Sequence, residues 1–219
     1  MARGFFVSFE GVDGSGKTTQ ILRTEAWLRA NGVEPVMTRQ PGGTAVGDRI
    51  RALLLDSRTE GLDAKAELAM MFADRAQSIV EVIRPAIEAE RVVLCDRFTD
   101  STEAYQGGGR GLGAELVGAM HGLVCGELMP DVTVLLLPSM EVALRRARRR
   151  NEHTTGASEG RFEAEQDAFF ERVHAAYRAI AEREPVRVVT IECEGNELAV
   201  HREVITKIEP RLRAAGVLR

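Results

Sequence analysis

The sequence predicts an α/β fold in which parallel strands are covered by helices, and three observations predict it. Five runs rich in β-branched or aromatic residues, at 4–9, 34–38, 91–95, 132–137 and 186–192, alternate with helical patterns. A glycine-rich stretch, Gly11 to Thr18, joins the first run to the first helical segment. Within 197–213, Val200, Val204, Ile205, Ile208 and Leu212 share one face, as in an amphipathic helix lying on a sheet. At 219 residues, 44% hydrophobic and 28% charged, the chain suits one domain, 1–219, with a lid at about 148–163.

The first run, Phe5-Phe6-Val7-Ser8-Phe9, leads into Gly11-Val12-Asp13-Gly14-Ser15-Gly16-Lys17-Thr18, which matches GxxxxGK[ST]. After it, Ile21, Leu22, Glu25, Leu28 and Arg29 recur with helical spacing. Between strand and helix, the glycines let backbone N–H groups turn inward around phosphate oxygens, and the helix adds its positive end. Lys17 then sets a cation against the β- and γ-phosphates, and the Thr18 hydroxyl reaches magnesium. With Thr19 following, the loop is a nucleoside triphosphate site, ATP being the default.

The second strand ends near Arg39 and Gln40, and Arg51 follows in the next segment. From Asp63 to about Ala89 the chain reads as a long apolar helix that Pro85 kinks or cuts near its end. The third strand, Val92-Val93-Leu94-Cys95-Asp96, ends in a carboxylate at the sheet edge where doubly wound folds bind ligands, which makes Asp96 an outer magnesium ligand. Arg97 follows it directly. Gly107 to Ala114 contains G-x-G-x-x-A, but it follows DSTEAYQ and no strand, so it reads as a flexible turn shaping a pocket. Downstream lie an arginine run, Arg145-Arg146-Ala147-Arg148-Arg149-Arg150, and the polar stretch Asn151 to Gly160.

Composition excludes several classes. The formal net charge of −4 argues against a general nucleic-acid binder, whose affinity comes from neutralising phosphates. The apolar run Val132 to Pro138 is far shorter than a membrane helix, and Glu10 interrupts the N-terminal run before a signal peptide could form, so a cytoplasmic location is expected. Cys95, Cys125 and Cys193 are odd in number and lack CxxC spacing, as buried free thiols do, and the histidines form no HExxH. No NKxD follows the loop: Asn31, Asn151 and Asn196 precede Gly, Glu and Glu, which disfavours a GTPase. A small phosphotransferase fits best.

Such an enzyme brings an anionic acceptor against the γ-phosphate. A phosphate monoester is already mostly a dianion at neutral pH, so arginines are needed more than a general base. Positive charge here is 26 Arg against 3 Lys. Arg39, Arg51, Arg75 and Arg97 are candidates at the cleft, with Arg161 and the arginine run on a closing flap.

FEGVDGSGKTTQ at 9–20, TRQPGGT at 38–44, DRFTDSTEAYQGGGRG at 96–111 and the arginine-rich segment with GRFE together resemble the thymidylate kinases, over nearly the whole chain and in the family's order. The resemblance implies the P-loop nucleoside monophosphate kinase fold, with five parallel strands, helices on both faces and a small lid, in a homodimer. It implies transfer from ATP to dTMP with Mg²⁺. It places Asp13 at the deoxyribose 3′-hydroxyl, Arg97 and Arg39 at the dTMP phosphate, Arg75 and Thr102 at the thymine edge, and Gln106 in that pocket. Tyr105 would exclude a 2′-hydroxyl, and Arg146 would stack on adenine. Because Gly14 is not basic, the chain resembles the type whose catalytic arginine comes from the lid, here Arg161, Arg149 or Arg150.

The chain departs from the family pattern at three places. Gln40 replaces a glutamate, and Gly160 replaces an acid before the lid arginine. Met71 stands where the family has the aromatic that stacks on thymine, with Phe72 one residue out of register. The alternatives are a regulatory nucleotide-binding module with weak or no catalysis, and a deoxynucleoside kinase acting on thymidine.

Overall fold

The computed structural model describes residues 4–59, 61–142, 161–162, 165–193 and 195–218. Five strands, β1 (Phe5–Glu10), β2 (Val36–Arg39), β3 (Val92–Asp96), β4 (Val132–Leu136) and β5 (Val188–Ile191), form one parallel sheet in the order β2-β3-β1-β4-β5. β1 lies at its centre, with Phe9 beside Asp96 of β3 on one side and Val134 of β4 on the other. All six of its residues are buried, which explains why it reads as a continuous apolar run and not as an alternation.

Alternate side chains nevertheless go to different layers. Phe5, Val7 and Phe9 pack with α1 (Lys17–Ala30) and the C-terminal helix α8 (Glu197–Ala214), whose Val200, Val204, Ile208 and Leu212 are buried as the periodicity predicts. Phe6 points the other way, onto α3 (Ala64–Ser78) and α6 (Ala114–Cys125). On the same side, α7 (Asp167–Arg183) buries Phe169, Val173, Tyr177 and Ile180. Side-chain oxygens start three helices: Thr44 accepts from Gly47 N before α2 (Ala45–Leu55), Asp63 from Lys65 N and Ala66 N, and Asn196 from Leu198 N and Ala199 N.

Two segments differ from the sequence reading. The long helix is interrupted before Pro85: α3 widens into a π-turn at Ile79–Ile83 and resumes as α4 (Arg84–Glu88). A wider turn ahead of a residue without an N–H shifts the break upstream of the proline itself. The glycine run is no flexible turn. After the short α5 (Thr99–Thr102), residues Glu103–Gly109 form a second π-helix pressed on α7, where a Cβ on Gly108 would stand 2.7 Å from that of Ala176, and one on Gly109 2.5 Å from the Phe169 ring. Cys95, Cys125 and Cys193 are buried and free, as expected. Among the described residues no helix is long and apolar enough to cross a membrane.

Candidate active site

The loop after β1 turns through left-handed backbone at Gly11 (φ 133°), Gly14 (φ 76°) and Gly16 (φ 97°). Helix α1 then begins with no side-chain cap and no acid in its first turn, which leaves its N–H groups for an anion. Lys17 is buried, and its Nζ donates to Gly11 O and Val12 O, both at 2.9 Å. Burial, reinforced by the neighbouring Arg97 charge, pushes its pKa down to about 8. Thr18 is exposed and Thr19 half-buried at the mouth of the loop.

Asp96 ends β3 at the same sheet edge, and its Oδ1 is buried without a hydrogen-bond partner. A buried carboxylate oxygen left over at the sheet edge, with an exposed threonine hydroxyl at the mouth of the loop, fits a magnesium ion that takes one or two protein ligands and fills its shell from phosphates and water.

Arg97 adopts φ 69°, unusual for a residue with a side chain, and its N–H donates to Phe9 O at 3.0 Å. That turn aims the guanidinium at the loop. Nη2 reaches Asp13 Oδ1 at 2.8 Å and Tyr105 Oη at 3.3 Å, and the guanidinium carbon sits 4.9 Å from the centre of the Tyr105 ring. Tyr105 in turn donates to Asp13 Oδ2 at 3.2 Å, and burial raises its pKa, so it stays protonated. Asp13, Arg97 and Tyr105 therefore form one constellation.

Arg75 is almost wholly buried between Phe72 and Phe98, 4.7 and 5.1 Å from the ring centres. Its Nε donates to Gln40 Oε1 (2.7 Å) and its Nη2 to Thr102 Oγ1 (2.9 Å) and Phe98 O (3.1 Å), while Nη1 and Gln40 Nε2 are left without partners. Gln40 is thus a direct partner of Arg75. Met71 packs in the cluster containing Tyr105 and Phe162, whereas Phe72 lies beneath Arg75 in the core with Phe6 and Leu68. Arg39 pairs with Asp48 at 3.1 Å, half-exposed, and Arg51 donates to Pro41 O at 3.0 Å. Gln106 gives its amide to Glu67 at 2.7 Å.

Glu67 is fully buried and also takes Arg161 Nη2 (2.7 Å) and Arg110 (3.2 Å). Arg161 Nε donates to Leu54 O at 2.6 Å. Arg146, Arg149, Arg150 and Gly160 lie outside the described residues.

Sequence reasoning missed a group beneath Arg97. Glu10 is fully buried, with Oε1 accepting from Phe98 N (2.6 Å) and Oε2 from the hydroxyls of Ser101 and Tyr177. In the sequence Glu10 signals only the end of an apolar run, and neither hydroxyl stands out. Burial, with the nearby Asp100 charge, raises the Glu10 carboxyl from its ordinary 4.5 to about 7. The folded protein therefore binds more protons than the unfolded chain between these values, and the stability linked to this group is lost as pH rises through that window. Glu10→Gln cannot titrate, so its melting temperature should fall less than that of the wild type between about pH 5 and about pH 8. Parallel pH–melting curves for the two proteins would refute the assignment.

Residues 9–204 match the family model for thymidylate kinase. The chain belongs to the thymidylate kinase family. It is 50% identical to the thymidylate kinase of Desulfovibrio desulfuricans over 212 residues, 96% of this chain and 98% of that one. Identity to the Solidesulfovibrio magneticus thymidylate kinase is also 50%, over 91% of this chain and 96% of that one. A crystal structure of thymidylate kinase from Ehrlichia chaffeensis superposes with a TM-score of 0.74 at 32% identity, covering 94% of this chain and 99% of that one. Family membership does not favour the regulatory module or the deoxynucleoside kinase.

Proposed function

We propose that this chain is a dTMP kinase: ATP + dTMP gives ADP + dTDP, in the supply of dTTP. An oxygen of the dTMP phosphate attacks the γ-phosphorus, and the bond to the β–γ bridging oxygen breaks as ADP leaves. The observation that carries this reading is the contact of Arg97 with Asp13, which sets an arginine for the acceptor phosphate against the loop for the donor phosphates.

In this reading Gly11 to Thr19 cradle ATP, and Lys17 moves from its loop carbonyls to the transferring phosphoryl group. Thr18 and Asp96 would hold Mg²⁺, which neutralises charge on the bridging phosphates when bound. Arg97 and Arg39 grip the acceptor phosphate, with Arg51 behind them. The unpartnered Arg75 Nη1 and Gln40 Nε2 supply buried donors for a thymine carbonyl, beside Thr102. A donor pair of this kind lets Gln40 serve where the family has glutamate. Met71 offers a flexible apolar face near Tyr105 in place of a stacking ring, and Phe72 acts by bracing Arg75. Gln106 serves by fixing Glu67.

Arg161 is held by Glu67 and Leu54 at the stem of the lid, so the lid arginines to assign to transfer first are Arg149 and Arg150, with Arg146 on adenine. We extend the proposal to a homodimer in the cytoplasm. Val80 in the π-turn after α3, and Leu116 and the largely exposed Leu123 on α6, are apolar side chains left to solvent, as contact with a second copy would use.

The deciding measurement is turnover of a panel of acceptors with ATP and Mg²⁺. dTMP should be the fastest, and faster phosphorylation of thymidine, dGMP or CMP would overturn the substrate.

A further inference from the structure

Helix α7 sends one polar group to the phosphate edge of the sheet. Tyr177 is buried, and its hydroxyl stands 2.9 Å from Ser101 Oγ, 3.2 Å from Glu10 Oε2, 3.3 Å from Arg97 Nη1 and 3.5 Å from Gly11 O. We propose that Tyr177 is a positioning residue for Arg97, fixing which edge of the guanidinium faces the acceptor phosphate. The inference rests on the reading of Arg97 as the arginine that holds that phosphate.

Counting donors makes the case. An arginine Nη carries two hydrogens, and three oxygens lie within 3.3 Å of Arg97 Nη1: Ser101 Oγ at 3.0, Gly11 O at 3.1 and Tyr177 Oη at 3.3 Å. The protein therefore saturates this nitrogen, and an anionic ligand must meet Nε or displace one of the two oxygens on Nη2, Asp13 Oδ1 and Tyr105 Oη. Nη2 is the nitrogen already aimed at Asp13 in the nucleotide loop. Arg97 lies in neither helix nor strand, between β3 and α5, so the groups its side chain meets set its direction.

The Tyr177 hydroxyl can serve because its bonds run one way. It accepts from the guanidinium, which only donates, and gives its own proton to the Glu10 carboxylate. Burial raises its pKa well above the ordinary value, so that proton stays in place. Glu10 ends β1, Gly11 opens the loop, Ser101 belongs to α5, and Tyr177 is therefore the link that ties α7 to all three.

Tyr177→Phe removes the oxygen and keeps the ring, which packs edge-on to Tyr105 with centroids 6.4 Å apart. Steady-state kinetics should show the KM for dTMP raised about tenfold, which corresponds to about 1.4 kcal/mol of lost binding, with the KM for ATP unchanged. Arg183→Gln, on the same helix in an exposed pair with Glu103, should change neither. In an Arg97→Ala background, Tyr177→Phe should have no further effect on dTMP, because two changes acting through one group are not additive.

An unchanged KM for dTMP overturns the proposal, as does an equal rise in both KM values, or an additive effect in the Arg97→Ala background. Absence of dTMP turnover in the wild type would instead overturn the proposed function, so the two failures are separable.

Discussion

Lys17→Met should lower kcat by roughly 10²–10³-fold while the protein stays folded, because the loss is of charge placed where the transition state develops it. The lysine is buried and depressed to about pKa 8, so the fold gains little from its charge, and a methionine stem fills nearly the same volume. Gly11 O keeps a donor in Arg97 Nη1 at 3.1 Å and Val12 O keeps one in Ser15 N at 3.2 Å, so neither carbonyl is stranded when the lysine goes. Turnover and thermal unfolding measured on the same preparation separate the effects. Near-normal kcat would remove Lys17 from the reaction, and a large fall in melting temperature would make it structural.

The second large effect is one of stability. Glu67→Ala should cost about 3–5 kcal/mol, as removal of one member of a buried ion pair does. The carboxylate is fully buried and serves Arg161, Arg110 and Gln106 together, so its loss takes the counter-charge from Arg161, one of two from Arg110, and the acceptor from the Gln106 amide. Arg110 retains Glu165, and both arginines keep aromatic rings beneath them, which keeps the cost within that range. Denaturant unfolding with an unchanged m-value is the appropriate measurement. A loss below about 1 kcal/mol would mean that the cluster behaves as a solvated surface pair.

The middle of the sheet was legible because β1, β3 and β4 are buried on both faces. Runs at 91–95 and 132–137 became Val92–Asp96 and Val132–Leu136, within a residue at each end. The loop was legible for a different reason: glycines at three left-handed positions and one lysine are a local requirement, complete within eight residues. Buried acids leave no such mark. Glu10 meets Tyr177 across 167 positions, and Glu67 meets Gln106 across 39, so their partners exist only once the layers have assembled.

The same limit explains the glycine run. Gly107, Gly108 and Gly109 carry no side chains to reveal a helical period, and flexibility is the natural reading of three glycines in series. Their helical form goes with close packing, Gly107 beside Gly113 and Val117 and the other two on α7. For Phe72 the register decided the outcome: one position along α3 moved the ring from the side of Tyr105 to the side of Phe6.

The close seam between that π-helix and α7 has its own consequence. A methyl group at Gly108 or Gly109 would act as a shim, with only 2.7 and 2.5 Å available, and would lever the neighbouring rod outward along its length. Tyr177 rides on that rod one residue past Ala176, so the aim of a distant guanidinium is tuned by the width of a gap that two missing side chains leave open.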